Sequence, residues 1–263
     1  MVVNAQSWTD EWQELAEYLG SEFQPAKTVG TDRLVAEEYR TFRSEDDFYR
    51  GAQSYLYDLT AFSVSRTKEP YRSAIRCLLP RGASLLDYGC GIGSDGLKFI
   101  AEGYDVSFAD FASPSTEYLN WRLRRRHLNS PIHTLDSLIE DRQYDLVYAF
   151  DVLEHVSDPR TLLSRIERLG RYVAVNFITD GPSDRFPMHH EHDWEALERW
   201  IAERMKVLLC INVYSNSRLV IYATDSAGAR VPVFISVVIP TFNRSDILHR
   251  TLQAYAQQTM APN

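Results

Sequence analysis

The stretch from Ser84 to Gly93, SLLDYGCGIG, constrains the fold of this chain more than any other. An apolar run typical of a buried strand ends in the carboxylate of Asp87, and glycines then follow at alternate positions. Such a turn lets a ligand lie against bare backbone, and the amides that open the next helix point at its polar end. We therefore predict a buried parallel strand, a ligand-binding turn and a helix from Ser94 to about Glu102.

The glycine spacing fits two ligand classes, and the register of the turn favours one of them. A dinucleotide fingerprint, G-x-G-x-x-G, can be placed on Gly91, Gly93 and Gly96, but its first glycine normally follows the strand directly. Here Asp87 and Gly89 would have to fit between the strand and the fingerprint. The alternative frame, which runs from Asp87 through the three alternate glycines, starts where the strand ends. It resembles the first motif of class I S-adenosylmethionine-dependent methyltransferases.

Strands and helices alternate from Ser84 onward, which predicts βαβ units and a parallel sheet. Asp110 ends a second predicted strand, where a carboxylate can accept hydrogen bonds from both hydroxyls of an adenosine ribose. A later strand and its tip, YDLVYAFDVLEHV from Tyr144 to Val156, resemble the post-strand signature of the same methyltransferase family. The resemblance implies an α/β fold, with a Rossmann-like, seven-stranded, mostly parallel sheet, helices on both faces and an N-terminal helical segment.

The resemblance also implies S-adenosylmethionine as the cofactor and suggests where its parts bind. The alternate glycines would hold the methionine end, Asp110 the ribose and Asp136 the adenine amino group, with a plain turn aspartate as the alternative for Asp136. The predicted cofactor-binding residues are Asp87, Gly89, Cys90, Gly91, Gly93, Asp110, Phe111, Asp136, Ser137, Asp151 and Val152.

Histidines are the candidates for the acceptor side, since methylation of a hydroxyl needs a base in the transition state and histidine is the commonest choice. We expect His192 to serve, then His189, then His155. A helix-entry loop with surface histidines is one alternative. A divalent metal held between His189 and Asp193 is another, but the spacing fits no standard ligand pattern, and we predict no metal site.

The chain divides into three predicted segments. We predict a helical lid or cap for residues 1–80 and the methyltransferase core for residues 81–226. For residues 227–263 we predict a linker followed by the start of another domain. In the first segment Tyr55, Tyr57 and Asp58 either pack the helices onto the sheet or form a lid over cofactor and acceptor. Each alternative fits the aromatic composition of this segment.

The last segment changes character. It contains VFISVVIPTFNR from Val233 to Arg244 and a predicted helix from Asp246 to Gln258. These elements resemble the opening strand, turn and helix of a family 2 glycosyltransferase, with an amphipathic hairpin of the methyltransferase as the alternative. The acidic metal-binding motif and base of such a domain would lie beyond Asn263. We therefore expect the N-terminal part of a methyltransferase–glycosyltransferase fusion, which does not itself transfer sugar.

Composition limits the partners. The formal net charge is -8, so no global basic field attracts nucleic acid, and the basic segment 122–127 is predicted to be a solvated helix end. Three widely spaced cysteines indicate a reducing compartment. The sequence shows neither a signal peptide nor an apolar run of about 18 residues, so we expect no membrane span and a cytoplasmic location.

These features predict an enzyme, an S-adenosylmethionine-dependent O-methyltransferase. The expected acceptor is a small molecule or glycan, with a hydroxyl of a sugar or glycoconjugate favoured only by the glycosyltransferase-like segment. That segment also implies a covalently linked glycosyltransferase as partner. The alternatives are a cofactor-binding module that docks the adjoining transferase without turnover, a methyltransferase of non-sugar small molecules, and a nicotinamide enzyme.

Overall fold

A seven-stranded sheet organises residues 10–136 and 143–225, the part of the chain that the computed structural model describes. The strands are β1 Ser84–Tyr88, β2 Asp105–Asp110, β3 Ile132–Thr134, β4 Tyr144–Ala149, β5 Gly170–Ile178, β6 Lys206–Tyr214 and β7 Ser217–Ala223. They lie in the order β3-β2-β1-β4-β5-β7-β6, and β7 runs antiparallel to β5 and β6 while the other pairs are parallel. The predicted mostly parallel sheet is confirmed.

Helices cover the sheet and precede it in the chain. Those of the described ranges are α1 Asp10–Leu19, α2 Thr31–Tyr39, α3 Glu45–Gly51, α4 Ser54–Ser65, α5 Glu69–Leu78, α6 Ser94–Ala101, α7 Pro114–Arg125, α8 Pro159–Ile166 and α9 Trp194–Arg204. Short 3-10 turns lie at Gly20–Glu22, Pro25–Thr28 and Leu153–His155. Among these helices none combines the length and apolarity that crossing a membrane requires. The glycosyltransferase-like segment, 227–263, lies outside the described residues.

Side-chain caps fix the starts of three core helices. The Ser113 hydroxyl accepts from the Thr116 amide in a capping box, and Pro114 occupies the first turn of α7. Asp158 caps α8 and Asp193 caps α9, each carboxylate accepting backbone amides of the first turn.

Alternate residues of the central strands enter two separate hydrophobic clusters. Leu85 and Leu146 pack with side chains of α5, α6 and α7, whereas Leu86 and Val147 pack with side chains of α8 and α9. Both faces of these strands are buried, which is why β1 and β4 read as nearly continuous apolar runs. Helices therefore cover both faces of the sheet.

The carboxyl ends of the parallel strands meet at one edge of the sheet. β1 pairs with β2 on one side and with β4 on the other, so the chain direction of the crossovers reverses there. In open α/β sheets ligands bind in the crevice at such a switch point. The glycine turn, Gly89–Gly93, and the tips of β2 and β4 therefore lie where a ligand site is expected.

The N-terminal helices, α1 to α4, form two smaller clusters at this edge. α1 and α4 bury Leu15, Leu56 and Tyr57 against Ile92 of the glycine turn and Tyr118 of α7. α2 and α3 pack against the segment after β5 in a cluster whose buried members are Val35, Phe48, Ala52 and Met188. These helices thus pack on the ends of the strands and not on the faces of the sheet.

The basic segment 122–127 is not a solvated helix end throughout, contrary to the prediction. Arg122 is fully buried, and its Nε donates to Glu14 at 2.8 Å and its Nη2 to Glu11 at 2.6 Å. Its Nη1 donates to the Ile92 carbonyl at 2.8 Å. The reason is that α1 supplies two carboxylates that cover this face of α7. This contact joins residues more than 100 positions apart, so the residues around Arg122 in the sequence do not indicate it.

We predict that Arg122→Ala lowers the free energy of unfolding by about 3 kcal/mol or more, because it leaves the Glu11 and Glu14 carboxylates with less charge compensation at a buried position. Arg125→Ala is the matched control on the same helix. Arg125 is partly exposed and pairs with Glu17, so its loss should cost less than about 1 kcal/mol. Urea unfolding measures the free energy of unfolding of both variants. Equal decreases in the two would contradict the larger stabilising role of Arg122.

Candidate cofactor and acceptor site

A cavity of about 650 Å³ opens at the carboxyl edge of β1, β2 and β4. Ligand sites in proteins measure roughly 300–1,000 Å³, so the volume suits a ligand. Its wall comes from the glycine turn, the strand tips, the segment after β5 and the N-terminal helices. The predicted cofactor residues on this wall are Gly89, Cys90, Gly91, Asp110, Phe111, Asp136, Asp151 and Val152.

Two predicted cofactor residues lie behind the cavity wall, and Ser137 lies outside the described residues. Gly93 begins α6 as its N-cap, with φ of 71°. The Asp87 side chain accepts a hydrogen bond from the Gly96 amide at 3.2 Å. Burial and, to a smaller extent, the nearby Asp95 raise the pKa of Asp87 to about 8. The structure thus places Asp87 and Gly93 where they shape the turn.

The glycine turn needs glycine for both conformation and space. Gly89 and Gly91 have φ values of 73° and 52°, in the left-handed region that side chains disfavour. A Cβ atom at Gly89 would lie 2.5 Å from Cγ2 of Val152, and one at Gly91 would lie 2.6 Å from Cδ1 of Leu59. The turn therefore presents bare backbone to the cavity.

Asp110 lies at the tip of β2 with both carboxylate oxygens held in place. Oδ2 accepts from the Gly91 amide at 2.6 Å, and Oδ1 accepts from the Phe111 amide at 2.7 Å. Each oxygen keeps a second lone pair, so the carboxylate can still accept from two vicinal hydroxyls. Burial raises the pKa of Asp110 to about 6, although the two amides oppose this shift.

Asp136 is engaged by a residue that the sequence did not indicate. Arg50 of α3 donates to both of its oxygens, at 3.0 and 3.1 Å, and this hydrogen bonding lowers the pKa of Asp136. The same guanidinium lies over the Phe111 ring, 4.7 Å from its centroid. The position favours the alternative interpretation of Asp136 as a turn aspartate, since an adenine amino group would have to share the carboxylate with Arg50.

Asp151, the residue after the tip of β4, is held in a strained conformation. Its φ is 55°, which non-glycine residues rarely adopt. Its amide donates to Asn176 Oδ1 at 2.8 Å, and Asn176 Nδ2 donates to Asp151 Oδ1 at 2.7 Å. Lys68 Nζ lies 3.2 Å from Oδ2. Burial alone would raise the pKa of Asp151, but the Lys68 charge and the Asn176 amide hold it below the usual value.

Lys68 and Asn176 are site residues that the sequence analysis missed. Asn176 is fully buried in β5, and a lone amide within the apolar run VAVNF was a signal that could have found it. Lys68 directly precedes α5 and carries no motif, so nothing in its local sequence indicates that it lies beside Asp151. Their contacts explain how Asp151 keeps a charge inside the cavity.

Two of the three predicted histidines lie on the cavity wall. His155 ends the 3-10 turn after β4, and His189 lies in the segment after β5, with ring centroids 4.9 Å apart. Burial lowers the pKa of His155 to about 3, and the adjacent His189 adds to the shift. Burial also lowers the pKa of His189. Both imidazoles are therefore neutral at pH 7.

His192, the first candidate from the sequence, is not among the residues that line this cavity, and its role as a base stays a prediction. It directly precedes the Asp193 cap of α9, and its ring packs against Trp194 with centroids 4.8 Å apart. The candidate histidines that line the cavity are His155 and His189.

Glu154 is a buried acid on the cavity wall beside these histidines. It belongs to the stretch YDLVYAFDVLEHV noted in the sequence but was not among the predicted site residues. Only 2% of its surface is exposed, and burial raises its pKa well above the ordinary value, with Asp151 adding to the shift. The sequence signal for Glu154 was an acidic residue placed directly after an apolar strand, where side chains often line a ligand site.

Two of the three predicted lid residues line the cavity, and the third is buried in a hydrophobic cluster. Tyr55 and Asp58 lie on the cavity wall, and burial raises the pKa of Asp58 to about 6. Tyr57 is buried in the cluster of α1 and α4, where its hydroxyl accepts from the Gln24 amide at 2.9 Å. Tyr57 therefore has the packing role, while the lid role stays a prediction for Tyr55 and Asp58.

Solved structures share the fold of this chain. Magnesium protoporphyrin IX methyltransferase from Synechocystis PCC 6803, solved with bound S-adenosylmethionine, aligns with a TM-score of 0.50 and 16% identity over 85% of this chain and 100% of its own. A protein from Pyrococcus horikoshii OT3 aligns with a TM-score of 0.53 and 17% identity over 72% of this chain and 99% of its own. At these identities the likeness shows the fold.

Comparison of sequences identifies the family. No curated protein matches the sequence significantly. A family model described as a methyltransferase domain matches residues 64–204, more than half of the chain. This range contains the glycine turn, Asp110, the tip of β4 and both cavity histidines. The chain therefore belongs to the methyltransferase domain family and has the class I S-adenosylmethionine-dependent methyltransferase fold.

Proposed function

We propose that this chain transfers the methyl group of S-adenosylmethionine to a hydroxyl group of a sugar or glycoconjugate. The observation that carries the proposal is that one cavity wall holds the glycine turn, Asp110 and the neutral pair His155 and His189. A nucleoside donor and a polar acceptor could thus meet in one place. The saccharide class rests on the resemblance of residues 233–258 to a family 2 glycosyltransferase.

The donor half is the better defined. Methyl transfer from a sulfonium is an in-line displacement, so the main requirement is to hold donor and acceptor in position. The bare backbone at Gly89 and Gly91 suits the methionine end, and the second lone pairs of Asp110 suit the ribose hydroxyls.

The acceptor half is polar on one side and aromatic on the other. His155 and His189 offer neutral ring nitrogens that can interact with a hydroxyl. Tyr49, Tyr55 and Phe186 contribute flat apolar faces to the same wall, and such faces suit the C–H side of a sugar ring. The complete glycine turn and the histidine pair together favour an enzyme over a binding module without turnover.

The activity is tested with isotopically labelled S-adenosylmethionine and a panel of saccharides, with amines of similar size for comparison. We expect label on a saccharide hydroxyl, and we expect His189→Ala to slow transfer by about 100-fold while S-adenosylhomocysteine affinity stays the same. His192→Ala, off the cavity wall, is the control and should transfer at the wild-type rate. Labelling of amines alone would contradict O-methylation.

Asp110→Asn should weaken S-adenosylhomocysteine binding by about 10- to 100-fold, because hydrogen bonds to a charged group contribute about 1.5–3 kcal/mol. Asp105→Asn is the matched control, since it makes the same change at the exposed opposite end of β2. Calorimetric titration measures both affinities, and circular dichroism checks the fold. Similar affinities in the two variants would place the ribose elsewhere.

The affinity for S-adenosylhomocysteine should depend on pH through Asp110. Its pKa is about 6 without ligand, and only the ionised form offers acceptors to both ribose hydroxyls. The affinity should therefore be constant near pH 8 and fall as the pH drops below about 6, by up to about tenfold per pH unit. Titrations between these pH values measure the profile. The affinity of Asp110→Asn should no longer depend on pH in this range. An unchanged pH dependence in that variant would show that another group is responsible.

A further inference from the structure

Three potential metal ligands converge on the acceptor side of the cavity. Glu154, His155 and His189 each offer one ligand atom, and these atoms lie within 4.8 Å of one another. Donor atoms around one zinc ion lie roughly 3–4 Å apart, given bond lengths of about 2.0–2.2 Å. Small rotations of the side chains would therefore bring all three onto one ion. The grouping joins the tip of β4 to a segment more than thirty positions later in the chain.

Glu154 lacks the partner that a buried carboxylate requires. Its Oε2 is inaccessible to solvent and has no hydrogen-bond partner among the described residues, and the residue is 98% buried. Lys68, the nearest buried ammonium of the site, makes its ion pairs with Asp151 and Asp95. A buried acid is stable when it is paired or bound to a metal ion. One carboxylate oxygen of Glu154 lies within 4.8 Å of a ring nitrogen of each of the two histidines.

Each histidine is held through its Nδ1 atom, as metal ligands commonly are. His189 Nδ1 lies 2.7 Å from the Asp180 carbonyl, and His155 Nδ1 lies 3.4 Å from the Met188 carbonyl. A carbonyl can only accept, so Nδ1 carries the proton in these contacts and Nε2 carries the lone pair. Histidine ligands of metals typically donate their other ring N–H to a carbonyl or carboxylate in this way.

We propose that Glu154, His155 and His189 bind a divalent metal ion of the zinc or manganese class. Two imidazoles and one carboxylate suit such ions better than magnesium, which prefers oxygen ligands throughout. Three protein ligands leave a coordination position open for an exogenous oxygen. The sequence predicted no metal because it offered only the spacing between His189 and Asp193, whereas this set depends on the fold.

The chemistry of this site deepens the proposed function and rests on it. An acceptor hydroxyl bound at the open position would release its proton to solvent more readily, since a divalent ion lowers the pKa of a bound hydroxyl. The resulting oxygen lone pair forms the new C–O bond with the methyl carbon. The C–S bond breaks, and its electron pair returns to sulfur to give the neutral thioether.

The direct test is calorimetric titration of the whole chain with Zn²⁺ and Mn²⁺, with Mg²⁺ for comparison. We expect one ion per chain for Zn²⁺ or Mn²⁺, and a loss of affinity of at least about tenfold in Glu154→Gln and in His189→Ala. His192→Ala is the matched control, since it removes a nearby histidine outside the cluster and should bind the ion like wild type. If Glu154→Gln does not fold, the half-buried His189→Ala carries the comparison.

The outcomes separate this proposal from the proposed function. Absence of ion binding in the wild-type chain, or equal losses in His189→Ala and His192→Ala, would overturn the metal site. S-adenosylhomocysteine is titrated into the same variants, and its affinity should stay within about twofold of wild type, since the cluster does not include Asp110 or the glycine turn. A chain that binds the ion but no S-adenosylhomocysteine would instead contradict the proposed function.

Discussion

The buried guanidinium of Arg122 joins the parts of the molecule on which the site depends. It contacts two carboxylates of α1, the Ile92 carbonyl inside the glycine turn and the Ser94 hydroxyl in the first turn of α6. α1 in turn shares a hydrophobic cluster with α4, whose Tyr55 and Asp58 lie on the cavity wall. One charged group thus connects the conformation of the turn to the helices that enclose the cavity.

The cavity itself is electrostatically unfavourable for the fold without ligands. Burial raises the pKa of Asp110 to about 6 and that of Glu154 well above its ordinary value. A carboxyl group whose pKa is raised by folding contributes stability at low pH, and this contribution is lost as the pH rises through the folded-state value. Such groups are common at functional sites, where ligands supply the missing partners. Lys68 and Asn176 provide that compensation for Asp151 within the chain itself.

The sequence predicted those features that depend on neighbouring residues along the chain. The strand β1, the glycine turn, Asp110 and the tip of β4 follow from local patterns, and the sheet follows from their alternation. The contacts of Arg50 with Asp136 and of Lys68 with Asp151 could not be predicted, because each joins residues more than 80 positions apart that meet only in the fold. The sequence also could not predict that His155 and His189 line the cavity while His192 does not, because spacing gives no direction for a side chain beside a helix cap.

A crystal structure of the chain with S-adenosylhomocysteine would show directly whether the cavity binds the cofactor. We expect the ribose hydroxyls within hydrogen-bond distance of Asp110 and the homocysteine along Gly89 and Gly91. The sulfur should then face the part of the cavity that holds His155 and His189. Ligand density outside this cavity, or a ribose that does not contact Asp110, would contradict the proposed cofactor site.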